Sequence, residues 1–392
     1  MKSTRSLTKA SLLLSLLLAG AGISSPVFAA PAAAPAAPWD TQLNPAAHQA
    51  DAVFANYTFR DGETLAQVKL HYATLGKAHR NAQGEIDNAI LVLHWTGADS
   101  RALLSPVWTK SLYGPGRPLD SNRYYLIFAD SIGHGQSSKP SDGLKAKFPN
   151  YDYGDMVDLQ HKLVTETLGI QHLHAVIGMS MGGMNAWQWA VAYPNMMDGV
   201  MPVVSLPIKV SGRNLLWRRM IVDAVRADPT WHNGNYTQAP ESWLQGYNIL
   251  RMMIDSAPDL QRAIPDGAAA DKFLANNRFT ANHIDTNDVL YSLKSSFSYN
   301  PQPDLSKITT KLYALNFSDD EFNPDSLRVL ETEVPKLKQG RYVVQSGTPT
   351  SPGHFTMTRP DLWANHVGEF MQWIGDKRVK RPASRAESQT LP

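Results

Sequence analysis

Apolar and polar positions follow two rhythms along this chain. Short unbroken apolar runs recur at residues 89–94, 124–130, 173–179, 197–206, 310–316 and 341–345. Runs of that length without alternation predict strands covered on both faces. Ahead of them, residues 53–59 and 65–73 flank Asp61-Gly62 and read as a hairpin. Between the runs the period lengthens. Met156, Leu159, Leu163 and Val164 recur at helical spacing over residues 153–168, which stop at Gly169, and residues 361–374 read as a closing helix. Strands alternating with helices imply an α/β protein with a mainly parallel sheet, helices on both faces and the hairpin as an antiparallel edge. Residues 211–299 break this rhythm with several helical segments rich in Trp, Met and Arg, among them Trp217, Arg218, Arg219, Trp231, Trp243, Met252 and Met253. An all-helical insertion after a sheet strand reads as a lid, over about 211–300, above the strands' carboxyl ends, where ligands sit in open α/β sheets. Its large side chains read first as packing between lid and body.

The run at 173–179 leads into Gly178-Met179-Ser180-Met181-Gly182-Gly183, followed by a breaker-poor stretch with Met184, Trp187, Trp189 and Ala190. Strand, G-x-S-x-G, helix is the context of a nucleophile elbow. A sharp turn strains the backbone at the serine and needs neighbours without bulk, which Gly178, Gly182 and Gly183 provide. The turn would lift Oγ of Ser180 out of the sheet and leave the Met181 amide at a helix N-terminus, where it can face a developing oxyanion.

A serine hydroxyl needs a base, and in this arrangement the acid and then the histidine follow the serine in the chain. The acid should close a late strand. Ser318-Asp319-Asp320-Glu321 follows the run at 310–316, and the expected acid is Asp319, with Asp320 as its rival. Of twelve histidines, only His354 and His366 lie beyond it. His354, in Ser351-Pro352-Gly353-His354, falls in a loop after the last strand, whereas His366 falls inside the closing helix. The second oxyanion donor should come from the loop after the first central strand, His94-Trp95-Thr96-Gly97. The amide of Thr96 is the expected donor and that of Trp95 the alternative. His172 and His174 suggest a metal pair, but no carboxylate stands at ligand spacing in the sequence, so both read as structural. His134 reads as a turn residue. The chemistry asks for no cofactor and no metal.

Residues 1–29 read as an export signal: Lys2, Arg5 and Lys9, an apolar core at 12–18, and Val27-Phe28-Ala29 before a cleavage point. The apolar core is too short for a spanning helix, so no stable membrane anchor is expected. A periplasmic or secreted location follows. Residues 30–50 read as a Pro/Ala-rich tether, 51–378 as the folded domain and 379–392 as a tail. There is no cysteine, so disulfides and a lipidated cysteine are excluded, and stability rests on core burial. A net charge of +2 without a basic block gives no sign of a nucleic-acid partner. The expected partner is a small-molecule acyl substrate.

These residues resemble the homoserine O-acetyltransferase group of α/β-hydrolase-fold proteins over roughly residues 55 to 375. The likeness rests on Leu173-His174-Ala175-Val176-Ile177-Gly178 with Ser180-Met181-Gly182-Gly183-Met184, Trp189-Ala190 and Tyr193-Pro194, on Gly114-Pro115-Gly116 with Asp120 and Tyr124, and on Asp228-Pro229 with Trp231, Gly234 and Tyr236. Ser318-Asp319 with Phe322 and Pro324 resembles the family's acid motif, which favours Asp319, and Gly353-His354 resembles its histidine motif. The resemblance implies an α/β-hydrolase fold and acyl-enzyme chemistry. Two departures stand out. Members that acetylate homoserine carry an aspartate after the histidine, where this chain has Phe355, and a lid arginine at the position of Val222. Apolar residues there would leave both charges of a zwitterion unpaired. The loop at His94 is also one residue shorter than usual, and residues 130–138 look more like the corresponding loop of general α/β hydrolases. Together with export away from any acyl-CoA supply, this favours an esterase-like serine hydrolase. The alternatives are an acyltransferase of the homoserine type and a noncatalytic binding module on the same fold.

Overall fold

In the computed structural model, which describes residues 43–375, every apolar run forms a strand. The strands are β1 His48–Thr58, β2 Thr64–Leu75, β3 Ala89–Leu93, β4 Tyr125–Ala129, β5 Leu173–Met179, β6 Met197–Val203, β7 Lys311–Phe317 and β8 Gly340–Gln345. They form one eight-stranded sheet in the order β1-β2-β4-β3-β5-β6-β7-β8. The β1–β2 hairpin is antiparallel, β2 meets β4 antiparallel, and all later pairings are parallel.

The continuous apolar runs are explained by two cores, one on each face. From β3, Ala89, Leu91 and Leu93 enter one core while Ile90 and Val92 enter the other; β4 divides Ile127 and Ala129 from Leu126 and Phe128 in the same way. The first face is covered by helices Tyr153–Lys162 and Met181–Ala192, which bring Met156, Leu159, Trp187 and Trp189. The second is covered by helix Ala364–Ile374 and by the segment between β3 and β4, which brings Leu103, Trp108 and Tyr113.

The lid is built from helices Gly212–Ala227, Glu241–Ile254, Ala257–Ala263, Gly267–Asn282 and Thr286–Ser295. It holds a third core of its own, with Trp217, Ile221, Val222, Trp243, Leu290 and Leu293 buried together. Phe355 packs against both this core and the second body core.

Three expectations about elements need correction. Strand β1 begins at His48, so the tether cannot reach residue 50. Alternating burial along the strand shows why: Ala52 and Phe54 are buried, Asp51 and Val53 exposed. The helix over 153–168 is α-helical only to Lys162 and continues as a π-helical turn, Leu163–Thr167. Residues 100–113, given no element from sequence, are helical in short pieces: Ser100–Leu103, Pro106–Trp108 and a π turn Thr109–Tyr113. The export signal, residues 30–42 of the tether and the 379–392 tail lie outside the described residues. Among the described residues no helix is long and apolar enough to cross a membrane.

Candidate active site

Ser180 sits between the end of β5 and the helix Met181–Ala192 with φ 54° and ψ −110°, a left-handed conformation unfavourable for a residue with a Cβ. The surroundings enforce it. The Ser180 amide donates to Val203 O at 2.9 Å, Gly182 N donates to His94 O at 3.0 Å, and Met184 N closes the first helical turn on Ser180 O at 2.8 Å. The chain crosses itself here. A Cβ on Gly178 would lie 2.0 Å from Gly182 O, and one on Gly182 would lie 2.4 Å from Leu93 O. The two glycines are therefore required by close backbone approach.

His354 lies on the 3-10 turn Gly353–Thr358 beyond β8 and is buried. Its Nε2 is 2.8 Å from Ser180 Oγ and its Nδ1 is 2.9 Å from Asp320 Oδ2. Phe322 meets the imidazole edge-on at 4.6 Å. Asp320 is buried and its carboxylate is fully engaged. Oδ1 accepts from Phe322 N at 2.8 Å and Asn323 N at 3.3 Å, and Oδ2 also accepts from Asn323 Nδ2 at 2.9 Å.

This corrects the expected acid. Asp319 does not face His354; its Oδ2 accepts from Ser351 Oγ at 2.5 Å. The chain turns after β7, with Asp320 N donating to Phe317 O, and neighbouring side chains leave a turn in different directions. Asp320 points inward to the imidazole. Asp319 points to the 346–351 loop that carries the chain to His354.

Met181 opens the elbow helix, so its amide has no acceptor within the helix. Trp95 and Thr96 line the same pocket as Ser180 and His354. Their loop is held by His94, a residue without an assigned role in the sequence reading. Its Nε2 accepts from Ser131 N at 3.0 Å, which places the proton on Nδ1, and Nδ1 donates to Trp95 O at 2.9 Å. Below it, Asp130 accepts from Ser100 N at 2.7 Å and Gln136 N at 2.9 Å. Burial, helped by Asp99, pushes the Asp130 carboxyl above the usual range.

The remaining histidines have plain partners. His134 is more than a turn residue: Nδ1 donates to Ile132 O at 3.1 Å, and Nε2 accepts from Ser292 Oγ on the last lid helix at 3.0 Å. Burial, with neighbouring His94, lowers its pKa to about 3. His172 and His174 do meet a carboxylate, contrary to the sequence reading. Asp198 on the adjacent strand bridges both, at 2.9 Å to each. Sequence spacing could not reveal it, since the contact comes from β5–β6 register. Among the described residues no group of three or more His, Cys, Asp and Glu is arranged to hold a metal ion. His366, in the closing helix, has its Nδ1 3.2 Å from Tyr313 Oη.

The pocket above Ser180 is walled by lid and body: Trp217, Trp243, Leu250, Ile284, Phe355 and Met357 supply apolar surface. Phe355 stands in it as expected. Val222 does not; it is buried in the lid core. One helical turn earlier on the same face, Arg218 lines the pocket. Of the two departures noted in the sequence, only Phe355 therefore lines this pocket. No carboxylate is among the described lining residues, so an ammonium group meets none.

Sheet order, elbow and helical lid define the α/β-hydrolase fold. A family model described as the alpha/beta hydrolase fold matches residues 90–248. The chain is similar to a homoserine O-acetyltransferase of Solidesulfovibrio magneticus, 37% identical over 194 residues that make up 46% of this chain and 47% of that protein. It thus spans about half the length of the curated relatives it matches. Among solved structures, homoserine O-acetyltransferase from Bacillus anthracis superposes with TM-score 0.73 at 22% identity, covering 83% of this chain and 97% of that one. An acetylester hydrolase from Corynebacterium glutamicum superposes with TM-score 0.71 at 21% identity, covering 83% and 96%. At those identities the likeness is one of fold.

Proposed function

We propose that the protein is a serine acyl-transfer enzyme working through an acyl-enzyme on Ser180, with water as the acceptor. The observation that carries this reading is the continuous chain Ser180 Oγ, His354 Nε2, His354 Nδ1, Asp320 Oδ2, with links of 2.8 and 2.9 Å at the floor of an apolar pocket. Ser180 Oγ attacks the carbonyl of an ester while its proton passes to His354 Nε2. Asp320 accepts from Nδ1–H, fixes the tautomer and stabilises the imidazolium. The Met181 amide and that of Thr96, or of Trp95 beside it, receive the oxyanion. His354 then gives its proton to the leaving alkoxide, which departs as the alcohol; in the second half it takes a proton from water as the water oxygen attacks the acyl carbonyl, and returns that proton to Ser180 Oγ as the acyl–Oγ bond breaks, which releases the acid.

Water is preferred as acceptor because the pocket carries Phe355 and offers no carboxylate to an amino acid's ammonium. Transfer to homoserine is the second reading, and it is the one the curated relatives favour by name. The ratio of O-acetylhomoserine to acetate, formed from an activated acetyl ester in the presence of homoserine, decides between them. A ratio well above one reinstates the transferase. A fluorophosphonate that fails to label Ser180 would remove both. We further propose export, supported by the pattern of residues 1–29. N-terminal sequencing of exported protein should begin near Ala30, and finding Met1 intact would refute it.

A further inference from the structure

Seven described residues other than glycine have positive φ, and Val204, at 48°, is the one with a β-branched side chain. Such a residue is an outlier that persists where its surroundings over-determine it. Val204 directly follows β6 and lines the pocket that holds Ser180 and His354. Its amide donates to Leu315 O at 2.8 Å, which ties it to β7. Its carbonyl accepts from a side chain, Asn323 Nδ2, at 2.9 Å. One peptide earlier, Val203 O accepts from the amide of Ser180 at 2.9 Å.

Asn323 is buried on the turn after β7, and the same Nδ2 also donates to Asp320 Oδ2 at 2.9 Å. Both neighbours of that atom are acceptors, so the amide's NH2 faces them and gives one hydrogen to each. The residue is held at its backbone as well: Asn323 N donates to Asp320 Oδ1 at 3.3 Å, and Asn323 O accepts from Asn316 Nδ2, on β7, at 3.0 Å. Asp320 Oδ1 takes its hydrogen bonds from amides of its own turn, which fix it relative to that turn. Oδ2, the oxygen that faces His354 Nδ1, is tied by Asn323 Nδ2 to a different element, the end of β6. Successive carbonyls, Val203 and Val204, therefore anchor the serine's amide and, through Asn323, the acid. We infer that Asn323 is a positioning residue for Asp320: it sets the carboxylate against His354 Nδ1, with the strained Val204 carbonyl as its fixed point. This rests on the acyl-transfer reading above.

The test is Asn323→Asp, which keeps the shape but can donate only while protonated. Its carboxyl would face Asp320 Oδ2 and Val204 O, and two carboxyls at hydrogen-bond distance hold one proton between them to unusually high pH. The other ionisable groups around this turn are His354, Asp319, which is turned to Ser351, and Glu321, which is paired with Arg213; Arg218 stands behind Asn214, whose Nδ2 donates to Phe322 O. With 4-nitrophenyl acetate, kcat/KM of the unaltered enzyme should rise through the His354 titration to a plateau. That of Asn323→Asp should fall again at higher pH and give a bell. Asn323→Leu, which removes both donors, should lower kcat by about ten- to a hundredfold, with KM changed less than about threefold and no alkaline limb. A role confined to closing the turn would lower both variants evenly across pH. A plateau kept by Asn323→Asp, or a kcat for Asn323→Leu within about twofold of the unaltered value, overturns the inference. Should Asn323→Leu fail to fold, the smaller Asn323→Ser takes its place, with the same loss expected. If no ester is turned over, the acyl-transfer reading fails, and proton NMR of the resting protein judges the positioning on its own. The hydrogen between His354 Nδ1 and Asp320 should give a low-field resonance that broadens or moves in the Asn323 variant, and an unchanged resonance overturns the inference.

Discussion

Body and lid reach their packing by different routes. In the body, position is dictated by backbone: parallel register brings Leu93 opposite Gly178 and Gly178 opposite Pro202, and the elbow is squeezed between those strands. Exchanging a side chain there changes chemistry more readily than architecture. In the lid, helices are held by their side chains around Trp217, Trp243 and Leu293, with polar links to the body such as Ser292–His134 and Ser256 Oγ to Ser351 O at 2.8 Å. Substitution there should change stability and selectivity before it changes the reaction itself.

The sharpest way to break that contrast is at the atoms proposed to react. Ser180→Ala and His354→Ala should each lower turnover by roughly 10⁴-fold or more, and the double variant should be hardly worse, because the groups act as a unit. Unfolding curves should barely move. Strict additivity would show that the two do not form one device. Next comes the acid: Asp320→Asn should cost on the order of 10³–10⁴ in kcat through the wrong histidine tautomer. Asp319→Asn should cost less than about tenfold, since it braces a loop. Reversed effects would refute the geometry.

For the lid, Leu293→Ala should destabilise by about 2–4 kcal/mol, as truncation of a fully buried leucine does. Chemical denaturation reads that value, and a loss below about 1 kcal/mol would mean the lid core collapses onto the gap. At the lower end of that range comes the pH dependence of His134. Its folded pKa is depressed to about 3, so the folded state resists protonation that the unfolded chain accepts. The stability it contributes is present above the unfolded value and is lost as pH falls toward the folded one. Between pH 7 and 5 this amounts to about 2 kcal/mol, taking about 6.5 for the unfolded imidazole. His134→Gln should flatten that slope. An unchanged slope would assign the acid sensitivity elsewhere.

The contrast also separates what could be read in advance from what could not. The strands and elbow were legible because a strand buried on both faces shows as an unbroken apolar run and a backbone crossing shows as glycines. The helical pieces at 100–113 were not, because short turns interrupted by Pro106 and a π turn carry no 3.6-residue period. Asp319 and Asp320 differ only in direction after β7, a property of the turn rather than of residue type. Arg218 passed as one more lid residue in a Trp-Arg-Arg run. Its place in the pocket wall comes from partners far along the chain, Ser296 among them.

The left-handed backbone at Ser180 has a consequence for how this chain can change. The fold would be better off with a residue that carries no Cβ at that point: Ser180→Gly should raise the melting temperature by about one to two degrees, corresponding to about 1 kcal/mol. The proposed nucleophile is thus a liability that the fold tolerates. A lineage released from the need for turnover would drift toward glycine there and gain robustness, so selection for thermal tolerance and selection for activity pull on this residue in opposite directions.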